Sequence, residues 1–269
     1  MYIIVMANPL IRKTSNPIII GHRGSGRGEV QTPSGLVREN TIDSFLAAYK
    51  MGITWVETDA AKTADGFLVL NHDTVLPDGT PISEISLAEA KKYGLDSLTS
   101  TFQSLPDDLA MIVEVKDILE DSSSLYPTTA KLIAQALLEE RARSSRPLVT
   151  YGFTSAMPLT LNSLINTNSI SVGTIAHGGT DLIGMILSSL EYPASVIAAH
   201  TSTLIGDRAE NQLRPYTLQQ AIDRAHSLEK SLLAWTPDLR QAQLLASTSI
   251  DALCVDDLPN FLKDFVPNP

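Results

Sequence analysis

Seven charged or imidazole side chains stand at the ends of short apolar runs. They are His22 and Arg23 after residues 17–21, Glu57 and Asp59 after 53–56, His72 after 67–70, and Glu114 and Lys116 at the end of 111–115. The i, i+2 pairs Glu57/Asp59 and Glu114/Lys116 each point to one side of an extended strand. Carboxylates that converge repel one another unless a cation or a strongly basic group sits between them. Three of them make a hard oxygen site suited to Mg²⁺ or Ca²⁺ rather than zinc. An imidazole exchanges protons near neutral pH, and Arg23 and Lys116 are suited to an anion. Each residue taken singly also has an ordinary reading: a loop histidine satisfied by its neighbours, or a rim carboxylate in water.

Later runs end the same way, in His177, His200, Trp235 and Asp256, so four of the five histidines follow a run. His226 falls within a helical stretch, where it packs or faces solvent, and Cys254 lies in an apolar run as a small core residue. Asn40 reads mainly as a cap for the helix that follows it, and Thr41 is an equal candidate for that cap.

The elements that must position these groups alternate. Strands are predicted over 17–21, 53–56, 67–70, 111–115, 148–151, 170–176, 195–199, 232–235 and 252–255. Helices are predicted over 41–51, 128–143, 157–164, 181–190, 218–228, 238–246 and 259–265. Continuous apolar strands joined through helices form a parallel sheet, because each parallel partner needs a crossover. Eight such strands, with 67–70 as an extra, predict an α/β fold of TIM (β/α)₈ barrel type with a short insertion after the second strand region. A doubly wound sheet is the competing arrangement. Residues 25–38 and 73–86 read as irregular loops. With no linker, composition shift or internal repeat, 1–269 reads as a single domain. In a parallel barrel the carboxyl ends of the strands form the ligand face, where the groups above would meet.

Composition removes several classes. The 269 residues carry 20 basic and 30 acidic side chains, a formal net charge of −10, which disfavours nucleic acid and anionic membranes as non-specific partners. One cysteine makes no internal disulfide or thiolate metal site. The opening apolar run, 2–6, is shorter than the core of a secretory signal, and no run approaches a membrane span, so no stable membrane insertion is expected. The expectation is a soluble, cytoplasmic protein of unassigned oligomeric state. The glycines 24, 26 and 28 lack dinucleotide-fingerprint spacing, and no phosphate-binding P-loop or serine nucleophile elbow is present.

Several ordered blocks resemble the glycerophosphodiester phosphodiesterase family. They are Ile20-Gly21-His22-Arg23-Gly24, Glu39-Asn40-Thr41-Ile42-Asp43-Ser44-Phe45, Val56-Glu57-Thr58-Asp59, Thr63-Ala64-Asp65-Gly66, His72-Asp73, Val113-Glu114-Val115-Lys116 and Trp235-Thr236. The resemblance is close over 18–116 and loose beyond. It implies a TIM-barrel hydrolase, dependent on a divalent cation, that cleaves small glycerophosphodiesters to sn-glycerol 3-phosphate and an alcohol. It further implies His22 and His72 as the acid/base pair and Glu57, Asp59 and Glu114 as metal ligands. Arg23 and Lys116 would hold the phosphate, Glu39 would stand beside the metal or glycerol, and Trp235 would line the substrate pocket. In the family the nucleophile is thought to be the substrate's own glycerol 2-hydroxyl. The last block runs Val255-Asp256-Asp257-Leu258-Pro259, one residue out of step with the family pattern, and leaves open which aspartate acts.

Two rival readings keep the barrel. A lysophospholipase D-type enzyme would act on lysolipids, and a non-catalytic phosphate-ester binder would have no need of two proton-transfer groups.

Overall fold

The computed structural model describes residues 8–116, 128–154, 156–167, 169–176, 192–205 and 215–265. The predicted helix over 181–190 and His177 lie outside them. Eight parallel strands close into a barrel: β1 (Ile18–Gly21), β4 (Trp55–Lys62), β6 (Ala110–Val115), β7 (Leu148–Gly152), β8 (Ser171–Ala176), β9 (Val196–His200), β10 (Ser231–Trp235) and β11 (Ala252–Val255). They pair in that order, and β1 meets both β11 (Ile18 opposite Ala252) and β4 (Ile20 opposite Trp55), which closes the ring and removes the sheet edges. β5 (Leu68–Leu70) runs antiparallel to the far end of β4.

The strands obey a period of two. Ile20, Trp55, Ala110, Ile112, Val149, Tyr151, Ile175, Val196, Ala198, Leu233, Ala252 and Cys254 form one buried cluster inside the barrel. Residues of the opposite parity, such as Val56, Met111, Val113 and Leu232, pack outward against the helices in a second, larger cluster. Continuing the inward parity to the carboxyl ends leads to His22, Glu57 and Asp59, Glu114 and Lys116, Phe153, His200, Trp235 and Asp256. The opposite end is stoppered by fully buried Leu10, and Asn8 donates a hydrogen bond of 2.6 Å to the Ser195 carbonyl there.

The covering helices are α1 (Ile42–Lys50), α4 (Thr128–Arg143), α5 (Met157–Ile165), α6 (Thr201–Ile205), α7 (Pro215–His226), α8 (Leu239–Ala246) and α9 (Leu258–Asp264). Thr41, with extended backbone, caps α1 by accepting from the Ser44 N–H; Asn40 does not cap it, a correction to the expectation above.

Three further differences from the sequence expectation have physical causes. The second barrel strand does not stop at Val56. It runs on through Glu57 and Asp59 to Lys62, because β6 pairs with it as far as Ala60 opposite Val115. Residues 25–38 are not irregular throughout. They fold back as an antiparallel hairpin, β2 (Glu29–Thr32) with β3 (Gly35–Arg38). The insertion after β5 holds a 3₁₀ turn (Ile82–Glu84), α2 (Leu87–Lys92) and α3 (Leu98–Ser104), where no helix is expected from periodicity. Both helices span two turns or fewer, too short to display a 3.6-residue repeat, but Ser86 and Glu89 form a reciprocal capping box at the start of α2. Leu76, Ile82, Ile85, Ala90 and Leu95 pack there on Ala61 and Val69 as a satellite core.

Candidate active site

The site begins with a turn after β1. Arg23 adopts a left-handed backbone with φ 52°, followed by Gly24 at φ 97°. A β-carbon on Gly21 would lie 1.9 Å from the Gly24 carbonyl oxygen, and one on Gly24 would lie 2.4 Å from Ser44 Oγ. Only glycine allows this turn to press onto the first turn of α1. The fold thereby throws the His22 ring into the mouth and points the Arg23 N–H at Glu57 Oε2, 3.1 Å away.

Glu57, Asp59 and Glu114 each offer an oxygen within 4.8 Å of the others, and all three are buried. Asp59 and Glu114 are opposite one another in the β4–β6 register, which is why residues far apart in the chain meet. Lys116 Nζ lies 2.5 Å from Glu114 Oε1 and 2.9 Å from Asp59 Oδ1. Arg23 donates from Nη1 to both Glu39 oxygens, at 3.0 and 3.2 Å, and its Nε stands 3.4 Å from Asp59 Oδ2. Asn40, at φ 55°, donates to Asp59 Oδ2 at 2.9 Å and accepts from Thr58 Oγ1 at 2.8 Å. It steadies a carboxylate of the cluster, a role its place ahead of a helix concealed.

The three carboxylates differ in electrostatics. Burial raises all three, but Lys116 and Arg23 outweigh it at Asp59 and hold that group below the usual range. Glu57 is pushed well up by burial and by the charges of Asp59 and Glu114. Burial and Asp59 raise Glu114 to about 7 in spite of Lys116. One ammonium therefore does not satisfy this cluster, which could hold a divalent cation. The donor set, all carboxylate oxygen, fits Mg²⁺ or Ca²⁺.

His22 stands with Nε2 3.8 Å from Glu57 Oε2 and with Nδ1 in a short contact to Asp256 Oδ1. Asp257 does something else: it caps α9, accepting from the Asn260 N–H. The choice between these neighbours, open in the sequence, follows from strand parity, which sends Asp256 inward. His72 holds Asp73 Oδ1 at 2.8 Å through Nδ1 and is lowered by burial and by Lys116. His22, Arg23, His72, Glu114, Lys116, His200 and Trp235 line one pocket of about 450 Å³. Thr236, from the Trp235-Thr236 block, joins them there, as do Arg27 and Phe153, which had no signal in composition or spacing. Glu39 holds Arg23, whose Nε borders Asp59 of the carboxylate cluster. His226 pairs with buried Asp251 at 2.9 Å, at the stoppered end of the barrel and remote from the mouth.

Solved structures share this architecture. The glycerophosphodiester phosphodiesterase of Thermotoga maritima superposes with a TM-score of 0.65 at 18% identity, over 92% of this chain and 97% of that one. An Oleispira antarctica phosphodiesterase, solved with the product sn-glycerol-3-phosphate, gives 0.67 at 20% identity, over 92% and 96%. At such identities the likeness is one of fold. Among curated relatives, glycerophosphocholine phosphodiesterase gde1 of Schizosaccharomyces pombe is 28% identical over 131 residues, which is 49% of this chain and 12% of that protein. The glycerophosphodiester phosphodiesterase of Caldanaerobacter subterraneus is 27% identical over 140 residues, 45% of this chain and 53% of the relative. The chain thus matches only part of the length of these relatives. The model of the glycerophosphoryl diester phosphodiesterase family, by contrast, matches residues 22–259, from the first residue after β1 into the first turn of α9. Every later barrel strand falls within that match, and the chain belongs to the glycerophosphoryl diester phosphodiesterase family.

Proposed function

We propose that the protein hydrolyses small glycerophosphodiesters to sn-glycerol 3-phosphate and an alcohol, with a divalent cation, Mg²⁺ or Ca²⁺, held by Glu57, Asp59 and Glu114. The observation that carries this reading is the buried triad of carboxylates, two of them raised by burial and mutual repulsion, flanked by a histidine and two basic side chains. Bound there, the cation would neutralise charge on the phosphoryl oxygens.

The chain's own groups do the rest. Lys116 and Arg23 attract the anionic phosphate to the charged side of the mouth, and Glu39 keeps the Arg23 guanidinium aligned. His72, kept toward its neutral form by burial and Lys116, is suited to take the proton of the attacking hydroxyl. His22, oriented through Nδ1 by Asp256, hands a proton to the departing oxygen from Nε2. The two rings exchange roles in a second, hydrolytic step. Trp235 lines the pocket that receives the organic part of the substrate.

The whole chain is read as one domain of this activity. A cytoplasmic setting is part of the same reading; among the described residues no helix is long and apolar enough to cross a membrane. The test is release of glycerol 3-phosphate from glycerophosphocholine with Mg²⁺ or Ca²⁺, with and without chelator. Metal-dependent release is expected; its absence with every glycerophosphodiester would overturn the reading. Turnover confined to lysolipids on liposomes would favour the lysophospholipase D-type rival instead.

A further inference from the structure

The mouth has two chemically different halves. The charged groups stand on β11, β1, β4 and β6, whereas β7 to β10 end in Phe153, Ala176, His200 and Trp235. The Phe153 and Trp235 rings stack with centroids 5.3 Å apart and 29° between planes, and His200 meets Trp235 edge-on at 6.3 Å. Lys116 Nζ lies 5.7 Å from the Phe153 ring, so the aromatic pair begins where the charged half ends.

His200 stands where a proton carrier would, but its ring nitrogens are both engaged. Ser202 meets Nδ1 twice, its N–H donating at 3.2 Å and its Oγ standing 2.6 Å away, and Nε2 stands 2.9 Å from Thr236 Oγ1; with Nδ1 as the acceptor the proton sits on Nε2, in place to donate to Thr236. Thr236 has φ 54°, a left-handed conformation that a β-branched residue adopts only when its surroundings impose it. They do so here from a strand, β11, and the start of a helix, α6. The Thr236 N–H is held by the Cys254 carbonyl at 2.7 Å, and the Trp235 carbonyl accepts from Thr201 Oγ1 at 2.6 Å.

We propose that His200 is a positioning residue: acting through Thr236, it sets the Trp235 ring against Phe153 as a wall that takes the alcohol substituent of the diester, and it transfers no proton. The inference rests on the hydrolase reading above. A phosphate beside Arg23 and Lys116 occupies the charged half, and the aromatic faces opposite offer contact area to carbon.

The test compares His200→Ala, Thr236→Val and His200→Gln with wild type on two diesters that share glycerol phosphate, one carrying choline and one a second glycerol. His200→Ala should raise KM for the choline diester about three- to tenfold, the worth of an aromatic contact, and raise it less for the glycerol diester. The kcat and both limbs of the pH–rate profile should stay in place. Thr236→Val keeps the shape but not the hydroxyl and should reproduce the effect; it also carries the test if His200→Ala fails to fold. His200→Gln, which can still donate to Thr236, should recover part of the loss. A hundredfold fall in kcat, or a lost limb of the pH profile, would make His200 an acid or base and overturn the proposal. So would an unchanged KM, or equal rises on both substrates, which would seat the shared glycerol at the wall. Should wild type turn over neither diester, the hydrolase reading fails separately. The wall is then read by quenching of tryptophan fluorescence on binding the choline diester, with Trp235→Phe as the blank: quenching weakened by His200→Ala supports it, and no quenching in wild type overturns it.

Discussion

Two clusters of buried charge, one at each end of the barrel, solve the same electrostatic problem in opposite ways. Near the start of β6, fully buried Arg146 donates from Nε to Glu140 at 2.9 Å and caps the carbonyls of Leu109, Phe102 and Leu105 at 2.8, 3.3 and 3.2 Å. Glu140 also accepts from Arg143 and Ser144, each at 2.8 Å. Burial would raise Glu140, but these bonds outweigh it and hold the group below its usual range. At the mouth, deeper burial and the crowding of three carboxylates leave Glu57 and Glu114 raised in spite of Lys116. A satisfied cluster ties elements together, here α4 to α3 and to the entry of β6. An unsatisfied one retains an appetite for a cation and is therefore the place to look for chemistry.

The comparison breaks if the two clusters respond alike to neutralisation. Glu57→Gln and His22→Ala should each reduce glycerol 3-phosphate release by about 10³-fold. Glu57→Gln should at the same time leave the chelated protein as stable or about 0.5–2 kcal/mol more stable in a urea titration, since an ill-compensated charge is gone. Arg146→Ala should do the reverse, costing about 3–5 kcal/mol in the same titration with activity per folded molecule unchanged. If Arg146→Ala abolished turnover in protein shown to be folded, or Glu57→Gln unfolded the chain while retaining activity, the division of roles would be wrong.

Smaller effects sharpen it. Asp256→Asn keeps the shape beside His22 but removes the charge that orients the ring, and should lower kcat about 10- to 100-fold with little change in KM, read from initial rates. The pH dependence of stability follows from Glu114. Its carboxyl at about 7 stands above the ordinary 4.5, so between those values the folded protein keeps a proton that the unfolded chain has released. The stabilisation is complete below 4.5 and lost as pH rises through 7. Melting in chelator should therefore fall by a few degrees between pH 5 and pH 8, and Mg²⁺ or Ca²⁺ should remove most of that fall by replacing the proton. A flat profile in chelator would show that Lys116 alone satisfies the cluster.

Much of the barrel was legible along the chain because its strands are buried on both faces and read as unbroken apolar runs. The same rule fails where function intrudes. Glu57 and Asp59 interrupt the run of β4, so the strand seemed to end at Val56 although its backbone continues to Lys62. Asn40 looked like a helix cap because of its place ahead of α1, but it turns inward to Asp59 while Thr41 caps the helix. Phe153 and Thr236 belong to the mouth only because β7 and β10 deliver them there.

The alternation of apolar strand and helix, the polar residues closing each strand and the i, i+2 spacing of Glu57/Asp59 and Glu114/Lys116 are properties of the one-dimensional chain, since local periodicity alone dictates which side chains share a face. Which of Asp256 and Asp257 reaches His22, how Lys116 divides itself between Asp59 and Glu114, and how His200 is committed to Thr236 depend on register between strands distant in sequence. Those choices arise only when the ring closes, because pairing β4 with β6 and β9 with β10 sets, to within a residue, which groups are forced to share the same buried space.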